Sequence, residues 1–339
     1  MQFGKPGSVG GKKTFSSAKI SATFLPVKVY VNGALYDWED AKISVGGEGF
    51  LRSIGVRDCF GCREGKFYRL DERLEYLRKL AGDLGMPFPW EVNDVKEALA
   101  VTYDMNGYGG KDAVLRVIFS AGTPVPKKKE EVPEKEKAPK EAPPAKEIAE
   151  GKPKEKAMEI APSLIIFPHG VKVFEGKPLP ATRLSTLSDL PTTGEMVALE
   201  RNLLSFVGTV LARNRAREKG GEEGLLLDTK GAVTTCTGGE IFACRDGAIL
   251  APEMATSSPM QRAAIDVLSA LAYSCNVQVL KIQDLTAAPE CFLLTNLGEV
   301  RPITSIDENN VGDGSVGSTT KAIAESFGVE VLKVSKSAF

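Results

Sequence analysis

The stretch LERNLLSFVGTVLARNRAREKGGEEGLLLD, residues 199–228, decides the fold. Its first part predicts a single helix over residues 199–219. A Gly-rich break follows, and the apolar run at residues 224–228 predicts a buried strand. No lysine lies between Lys177 and Lys219, which limits the chemistry open to this helix.

Further along, the C-terminal half alternates between predicted strands and helices. Apolar runs at residues 164–167, 238–243 and 290–295 predict buried strands, and residues 260–273 predict a helix. A Gly-rich loop at residues 311–317 precedes a last helix. This loop lacks the GxxxxGK[ST] spacing with which backbone amides and a lysine bind phosphate, so we interpret it as a structural turn.

A small α+β domain is predicted N-terminal of these elements, over residues 27–125. Its first strand alternates in polarity and ends at Asn32-Gly33, a strong hairpin turn. Asp71 is a candidate N-cap, followed by leucines at helical spacing. The remaining predicted elements are a helix at residues 92–103 and a buried strand at residues 113–119.

The segment PKKKEEVPEKEKAPKEAPPAKEIAEGKPKEKAM, residues 126–158, differs in composition from both parts. Built of Lys, Glu, Pro and Ala, it cannot bury enough apolar surface to offset its ordering entropy. The sequence therefore predicts a disordered charged linker between two domains. The expected organisation is a basic flexible tail at 1–26, the small domain at 27–125, the linker at 126–160, a larger α/β domain at 161–328 and a C-terminal tail at 329–339.

The overall composition argues against several classes of protein. The chain has 339 residues and a formal net charge of −1, which offers no long-range attraction to nucleic acid or to a membrane surface. No stretch approaches the ~18 consecutive apolar residues of a membrane-spanning helix. A cytoplasmic location is expected. An organelle-targeting segment stays open, because residues 1–36 contain no acidic residue.

Cysteine and histidine usage argues against metal chemistry and histidine-dependent hydrolysis. Six cysteines are too few for a disulfide scaffold in a chain of this length. Cys59 and Cys62 form an isolated CxxC on a predicted strand, where side chains three apart point to opposite faces, so a shared metal is not expected. The single histidine, His169, is expected in a surface turn rather than as a catalytic base.

In order and spacing, these segments resemble the class IV, or fold-type IV, pyridoxal-phosphate aminotransferases. That family includes branched-chain and D-amino acid aminotransferases and aminodeoxychorismate lyase. Among the matching motifs are GKFYRLDERLEYL at residues 65–77 and ECFLLTNLGEVRPI at residues 290–303. The resemblance covers nearly all of residues 27–328 outside the linker, and it implies a two-domain α/β fold that forms a dimer.

The resemblance implies a pyridoxal-phosphate site, but its two catalytic positions are changed in this sequence. The family's Schiff-base lysine matches Asn202, or Arg201 if one residue is inserted. Neither replaces the amine, because a guanidinium keeps its proton and an asparagine amide is not a nucleophile. The family's glutamate beside the pyridine nitrogen matches Thr235. We therefore assign no catalytic residue and no metal ligand.

The phosphate site that the resemblance implies is also altered. The family's Gly-Ile-Thr at a helix N-terminus donates amides to the phosphate. It matches Pro259, Met260 and Gln261 here, and proline removes one amide. The threonine of a later strand-end loop matches Asn296, while Arg69 matches the family's phosphate-binding arginine. Any retained phosphate cup is expected to consist of Arg69, Met260, Gln261 and Asn296.

We therefore expect a catalytically degenerate family member that holds no cofactor. The leading hypothesis is a structural or regulatory subunit, as a homodimer or as a heterodimer with an active paralogue. One alternative is a divergent class IV aminotransferase or lyase that still binds pyridoxal phosphate; another is a small-molecule or anion sensor that uses the old cofactor cleft. The acid-free tail at residues 1–22 is expected to dock an acidic protein partner or to act in targeting.

Overall fold

The computed structural model describes residues 27–126, 158–171, 177–188, 190, 193–253, 259–334 and 336–337. They form two sheets with helices packed against them. The α/β fold with a small N-terminal and a larger C-terminal domain is therefore confirmed. The predicted basic tail and most of the predicted linker lie outside the described residues. In the described part of the chain, no helix is both long and apolar enough to span a membrane.

The first sheet has seven strands. In chain order, its strands are β1 Lys28–Val31, β2 Ala34–Asp37, β3 Gly55–Arg63, β4 Lys66–Phe67, β5 Ala113–Pro126, β6 Met158–Val171 and β16 Lys336–Ser337. They are arranged in the order β16-β4-β3-β5-β6-β1-β2. Asn32 and Gly33, with φ of 49° and 96°, form the predicted turn between β1 and β2, since this turn type needs left-handed backbone.

Three helices accompany this sheet: α1 Glu48–Arg52, α2 Leu70–Asp83 and α3 Val92–Met105. The predicted helix at residues 92–103 is confirmed as α3. The leucines of α2 are buried against β3 and β5 in one apolar core. The prediction of Asp71 as an N-cap is wrong, because α2 begins at Leu70 behind Arg69. Asp71 lies in the first turn, where a carboxylate interacts favourably with the helix dipole, and it accepts a 3.1 Å hydrogen bond from Lys96.

The second sheet has nine strands. They are β7 Thr182–Leu187, β8 Glu223–Leu227, β9 Val233–Cys236, β10 Glu240–Arg245, β11 Ala248–Pro252, β12 Ser274–Gln278, β13 Glu290–Leu294, β14 Val300–Ile306 and β15 Asn309–Asn310. The main path runs β12-β11-β10-β13-β14-β7-β8-β9, and β15 pairs with β14. The strands predicted at residues 224–228, 238–243 and 290–295 are confirmed as β8, β10 and β13.

The helices of the second domain are α4 Gly194–Glu200, α5 Val207–Glu218, α6 Pro259–Ala270, α7 Ile282–Thr286 and α8 Ser318–Val334. Helices α6 and α8 pack on one face of the sheet, against Phe242 and Phe292. The other face holds a second apolar cluster around Ile241 and Leu293. Neighbouring residues on β10 and β13 thus point to opposite faces, and both faces are buried.

The predicted single helix over residues 199–219 is wrong, because the chain leaves the helix between α4 and α5. In this connection, Asn202 O accepts a 2.8 Å hydrogen bond from Arg57 N, and Leu204 N donates a 3.0 Å bond to Gly55 O of β3. The carboxylate of Glu200 then accepts hydrogen bonds from backbone N–H groups at the start of α5. Pairing with a distant strand thus overrides the local helical pattern.

The two strands that flank the charged segment, β5 and β6, both belong to the first sheet. Strands β5 and β6 are antiparallel neighbours, with register from Ala113 opposite Val171 to Pro126 opposite Met158. The strand predicted at residues 164–167 therefore belongs to the first sheet and not to the second domain. The charged composition of residues 126–158 could not reveal that the flanking strands pair with each other.

Further predictions are corrected near the chain's other boundaries. His169 lies on β6 with an exposed side chain, not in a turn. The expected C-terminal tail at residues 329–339 contains the end of α8 and β16, which pairs with β4 in the first sheet. Cys59 and Cys62 both lie on β3 as predicted, and Cys62 is buried in the core while Cys59 is half-buried.

Replacing residues 127–157 with a four-residue turn should preserve the fold. Because Pro126 and Met158 are already paired, a short loop can close the hairpin. The shorter loop should raise the free energy of unfolding by about 1–2 kcal/mol, since it lowers the entropy cost of closure. Thermal melts of both proteins test this. Loss of the folded state in the shortened protein would show that the segment bridges separate domains.

Candidate functional site between the two sheets

The candidate site is built around Arg201, which ends α4. Its guanidinium donates hydrogen bonds to Glu240 Oε1 at 2.5 Å and to Thr235 Oγ1 at 2.5 Å. It also donates to the backbone carbonyls of Cys236 at 2.7 Å and Gly239 at 2.8 Å. Only 8% of the Arg201 side chain and 3% of the Glu240 side chain are exposed. The centre of the site is thus a buried ion pair between a helix end and a strand.

The turn between β9 and β10 assembles the acceptors of this ion pair. Cys236 and Gly239 bridge across the turn. At Gly239, with φ of +156°, a Cβ atom would lie 2.3 Å from the carbonyl oxygen of Leu294. Glycine therefore allows β10 to approach β13 closely. Glu240 follows as the first residue of β10 and pairs with Leu294, so two neighbouring strands determine the position of its carboxylate.

The structure distinguishes between the two residues that the resemblance placed at the lysine position. Arg201 reaches Thr235, the residue matched to the family's pyridine-side glutamate. Asn202 instead turns toward the first sheet, where its side-chain amide donates a 3.2 Å hydrogen bond to Arg57 O. Arg201 and Thr235 are therefore brought together, and Asn202 is not part of this cluster.

Sequence reasoning missed Glu240, although a signal for it was present. Glu240 is the single carboxylate in the apolar run GGEIFAC. Buried carboxylates are rare in proteins unless they are paired with a cation. The sequence could therefore have indicated that Glu240 needs a cationic partner. It could not identify Arg201 as that partner, because the two residues meet only in the folded chain.

Arg69 is the residue matched to the family's phosphate-binding arginine, and two carboxylates bind it here. Its guanidinium contacts Glu72 Oε2 at 2.9 Å and Asp266 Oδ2 of α6 at 2.6 Å. Burial lowers the pKa of Arg69, but the hydrogen bond with Asp266 and the charge of Glu72 outweigh burial and raise it above the ordinary value. A phosphate next to Arg69 would meet two negative side chains as well as one positive one.

The other residues matched to the phosphate site lie at the start of α6 and in a turn. Pro259, Met260 and Gln261 are buried. Met260 packs into the core of the second domain, and Gln261 Nε2 donates a 2.9 Å hydrogen bond to Pro252 O. Asn296 is half-buried after β13. The side chains of Met260 and Gln261 thus contact other parts of the protein: one packs in the core, and the other donates to a backbone carbonyl.

A cleft of about 760 Å³ opens between α2, α6 and the connection that follows α4. Leu199 and Leu203, which flank Arg201, form part of its wall. The charged residues that line it are Glu72, Glu75, Lys79, Asp83 and Arg262. Three carboxylates and two cations give the lining a slight negative excess, which disfavours a phosphate.

These residues do not fit a Schiff-base pyridoxal-phosphate site. The chemistry of that cofactor needs an amine to bind its aldehyde and a group that stabilises its protonated ring. Arg201 supplies no such amine, and its guanidinium occupies the acceptor oxygens of Thr235 and Glu240. Among the described residues, no group of three or more His, Cys, Asp or Glu side chains could hold a metal ion.

The fold is that of the fold-type IV aminotransferases. The branched-chain amino acid aminotransferase from Thermobaculum terrenum, in its PLP form, is similar over 91% of this chain and 95% of its own, with a TM-score of 0.72 and 17% identity. The branched-chain amino acid aminotransferase from Escherichia coli is similar over 92% of this chain and 96% of its own, with a TM-score of 0.70 and 20% identity. At these identities the likeness establishes the fold alone.

Sequence comparisons indicate the same class of protein. The model of amino-transferase class IV matches residues 202–306. A Methanocaldococcus jannaschii protein provisionally described as a branched-chain-amino-acid aminotransferase is 25% identical over 89% of this chain and 95% of its own length. The branched-chain-amino-acid aminotransferase of Escherichia coli is 31% identical over 36% of this chain and 41% of its own. The chain is therefore a class IV aminotransferase-like protein of the branched-chain type.

Arg201→Met should lower the free energy of unfolding by about 3–5 kcal/mol, because it removes the cation that is hydrogen-bonded to the buried Glu240 carboxylate. Arg201→Met combined with Glu240→Leu should recover most of this loss, since neither charge of the buried pair remains. Denaturant melts measure both effects.

The matched control is Arg215→Met on α5, where the ion pair with Glu218 is solvent-exposed. Its cost should stay within about 1 kcal/mol. If Arg201→Met costs no more than this control, the buried pair does not have the structural role assigned to it.

Proposed function

We propose that this chain is a non-catalytic class IV aminotransferase-like protein that serves as a structural or regulatory subunit in an assembly. The observation that carries the proposal is the ion pair between Arg201 and Glu240, in which a guanidinium stands at the position matched to the family's lysine. A guanidinium remains protonated and forms no Schiff base under ordinary conditions.

The surroundings of the ion pair support the same proposal. Thr235, at the position matched to the family's pyridine-side glutamate, brings no negative charge and accepts a hydrogen bond from Arg201. Arg69 is neutralised within the protein by Glu72 and Asp266. Of the three groups expected in a cofactor site, the amine and the ring partner are thus replaced by other residue types. The third, the phosphate-binding cation, is paired with carboxylates of the protein itself.

One observation favours a second candidate, a divergent enzyme that binds pyridoxal phosphate through a different amine. Lys79 of α2 lines the 760 Å³ cleft next to the connection that contains Leu203. An amine in such a cleft can form a Schiff base if its pKa is lowered by burial or by a nearby cation. Of the two candidates, the non-catalytic subunit is favoured, because the three carboxylates that line the cleft outnumber Lys79 and Arg262 and so disfavour the phosphate of the cofactor.

Borohydride reduction of the protein after incubation with pyridoxal phosphate distinguishes the two candidates. We expect peptide mass spectrometry to find no cofactor-sized addition on a lysine that lines the cleft. Lys79→Ala is the matched variant, because it removes the one amine that the second candidate would use. Stoichiometric addition to Lys79, lost in Lys79→Ala, would overturn the non-catalytic proposal.

An apolar face supports the assembly part of the proposal. Phe50 and Leu51 of α1 and Val207, Val210 and Leu211 of α5 are between 44% and 64% exposed. Gly55, shortly after α1, pairs with Leu204, shortly before α5, and the two segments run antiparallel. The end of α1 and the start of α5 therefore lie at the same end of this pairing. Exposed apolar side chains grouped on neighbouring helices are typical of protein–protein interfaces.

We propose that a second copy of this chain covers this apolar face. Residues at i, i+3 and i+4 on α5 present one stripe, so Val207, Val210 and Leu211 can pack together against a partner helix. A symmetric pair of chains would bury the stripe of each subunit against the same surface of the other.

Val210→Asp should convert a dimer to a monomer in light scattering after size-exclusion chromatography, because it places a charge in the apolar interface. Val279→Asp is the matched control, since Val279 is itself 59% exposed but follows β12 and belongs to neither α1 nor α5. A Val210→Asp protein that remains dimeric would exclude this face. A wild-type monomer that pairs only with an active family member would favour the heterodimer instead.

A further inference from the structure

The acceptors around Arg201 form a pocket that belongs to the second sheet. The hydroxyl of Thr235 and the carbonyl of Cys236 lie on β9, and the carboxylate of Glu240 begins β10. Each of these three residues is at most 2% exposed. Both strands are paired to neighbours in the sheet, so their backbone is held by hydrogen bonds that do not involve Arg201.

The occupant of the pocket comes from a different part of the chain. Arg201 stands on the connection between α4 and α5, and its backbone neighbours pair with β3 of the first sheet. Arg201 therefore connects the pocket to a segment that also pairs with the other sheet. This arrangement differs from an ion pair within one strand or helix, because the occupant can leave while the sheet stays intact.

The chemistry of the acceptors selects for a planar cation. Glu240 Oε1 accepts from Nη1 of the guanidinium, and three further oxygens, none of them from a carboxylate, share the two N–H groups of Nη2; the N···O distances are 2.5–2.8 Å. A guanidinium presents its N–H donors in one plane, whereas an ammonium ion is a compact, strongly hydrated point charge with three donors. A single ammonium nitrogen cannot stand at both the Nη1 and the Nη2 position, so it would leave either Glu240 Oε1 or the oxygens around Nη2 without a donor.

We propose that these oxygens form a binding site for guanidinium-type cations, and that Arg201 occupies it as a tethered ligand. This site is distinct in chemistry from a cofactor site, since it binds a cation through oxygen atoms and needs no amine. The proposal goes beyond the non-catalytic function and does not depend on the oligomeric state.

The test is rescue of Arg201→Ala by free guanidinium ion. Added guanidinium chloride should raise the melting temperature of this variant, relative to equal sodium chloride, in a saturable way. The expected rise is about 2 °C at roughly ten times the dissociation constant. Methylammonium should give no such rise. The wild-type protein should not respond, because tethering gives Arg201 a high effective concentration in the pocket.

The matched control is Arg215→Ala, which removes a guanidinium from the surface of α5 and leaves no pocket. Arg201→Ala combined with Glu240→Gln removes the anion and should lose the rescue. Equal responses in Arg215→Ala, equal effects of methylammonium, or no response in Arg201→Ala would each overturn the proposal.

A second measurement applies if Arg201→Ala does not fold. In wild-type protein, the arginine side-chain NMR signal that disappears in Arg201→Lys should show slow rotation and slow exchange of its N–H protons. A freely rotating, rapidly exchanging signal would overturn the proposal. Borohydride reduction labels only lysines, whereas the rescue and NMR measurements concern Arg201. Failure of this proposal can therefore be distinguished from failure of the non-catalytic one.

Discussion

The buried ion pair between Arg201 and Glu240 is the constraint on which the centre of this molecule depends. Moving two charges out of water carries a large desolvation cost, which is offset only when geometry and hydrogen bonding are good. Here Thr235 and two backbone carbonyls complete the set of acceptors for the guanidinium. The strands that carry these acceptors and the helix end that carries Arg201 must therefore hold their relative positions.

The same region joins the two domains. Glu200, adjacent to Arg201, caps α5 with its carboxylate, and Asn202 and Leu204 pair with the start of β3. Arg63 at the other end of β3 adds a 3.1 Å hydrogen bond to the carbonyl of Gly298 in the second domain. The two sheets are thus linked at both ends of one strand, and the charge at residue 201 lies in one of these links.

This arrangement explains how the family's fold is kept while the groups expected of its cofactor site are replaced. A binding cleft between two domains leaves polar groups that a ligand would otherwise satisfy. In this chain, Arg201 satisfies Glu240 and Thr235, while Asp266 and Glu72 satisfy Arg69. These polar groups are therefore hydrogen-bonded to other side chains of the protein. They do not need a charged ligand as a partner.

The amino-acid sequence by itself determined the local elements and the chemical identity of the changed positions. Periodicity is a local property, so it identified α3, α6 and the strands β8, β10 and β13. The absence of lysine between Lys177 and Lys219 and the threonine at position 235 were readable because they concern residue types.

Only the tertiary structure decided which residues meet. The helix predicted over residues 199–219 is interrupted because its backbone pairs with β3, more than a hundred residues earlier in the chain. Strands β5 and β6 pair with each other although the charged segment separates them in the sequence. Arg201 rather than Asn202 reaches Thr235 and Glu240 because the chain turns at the end of α4. Each of these outcomes depends on hydrogen bonds between residues far apart in sequence, and local patterns of polarity carry no information about such partners.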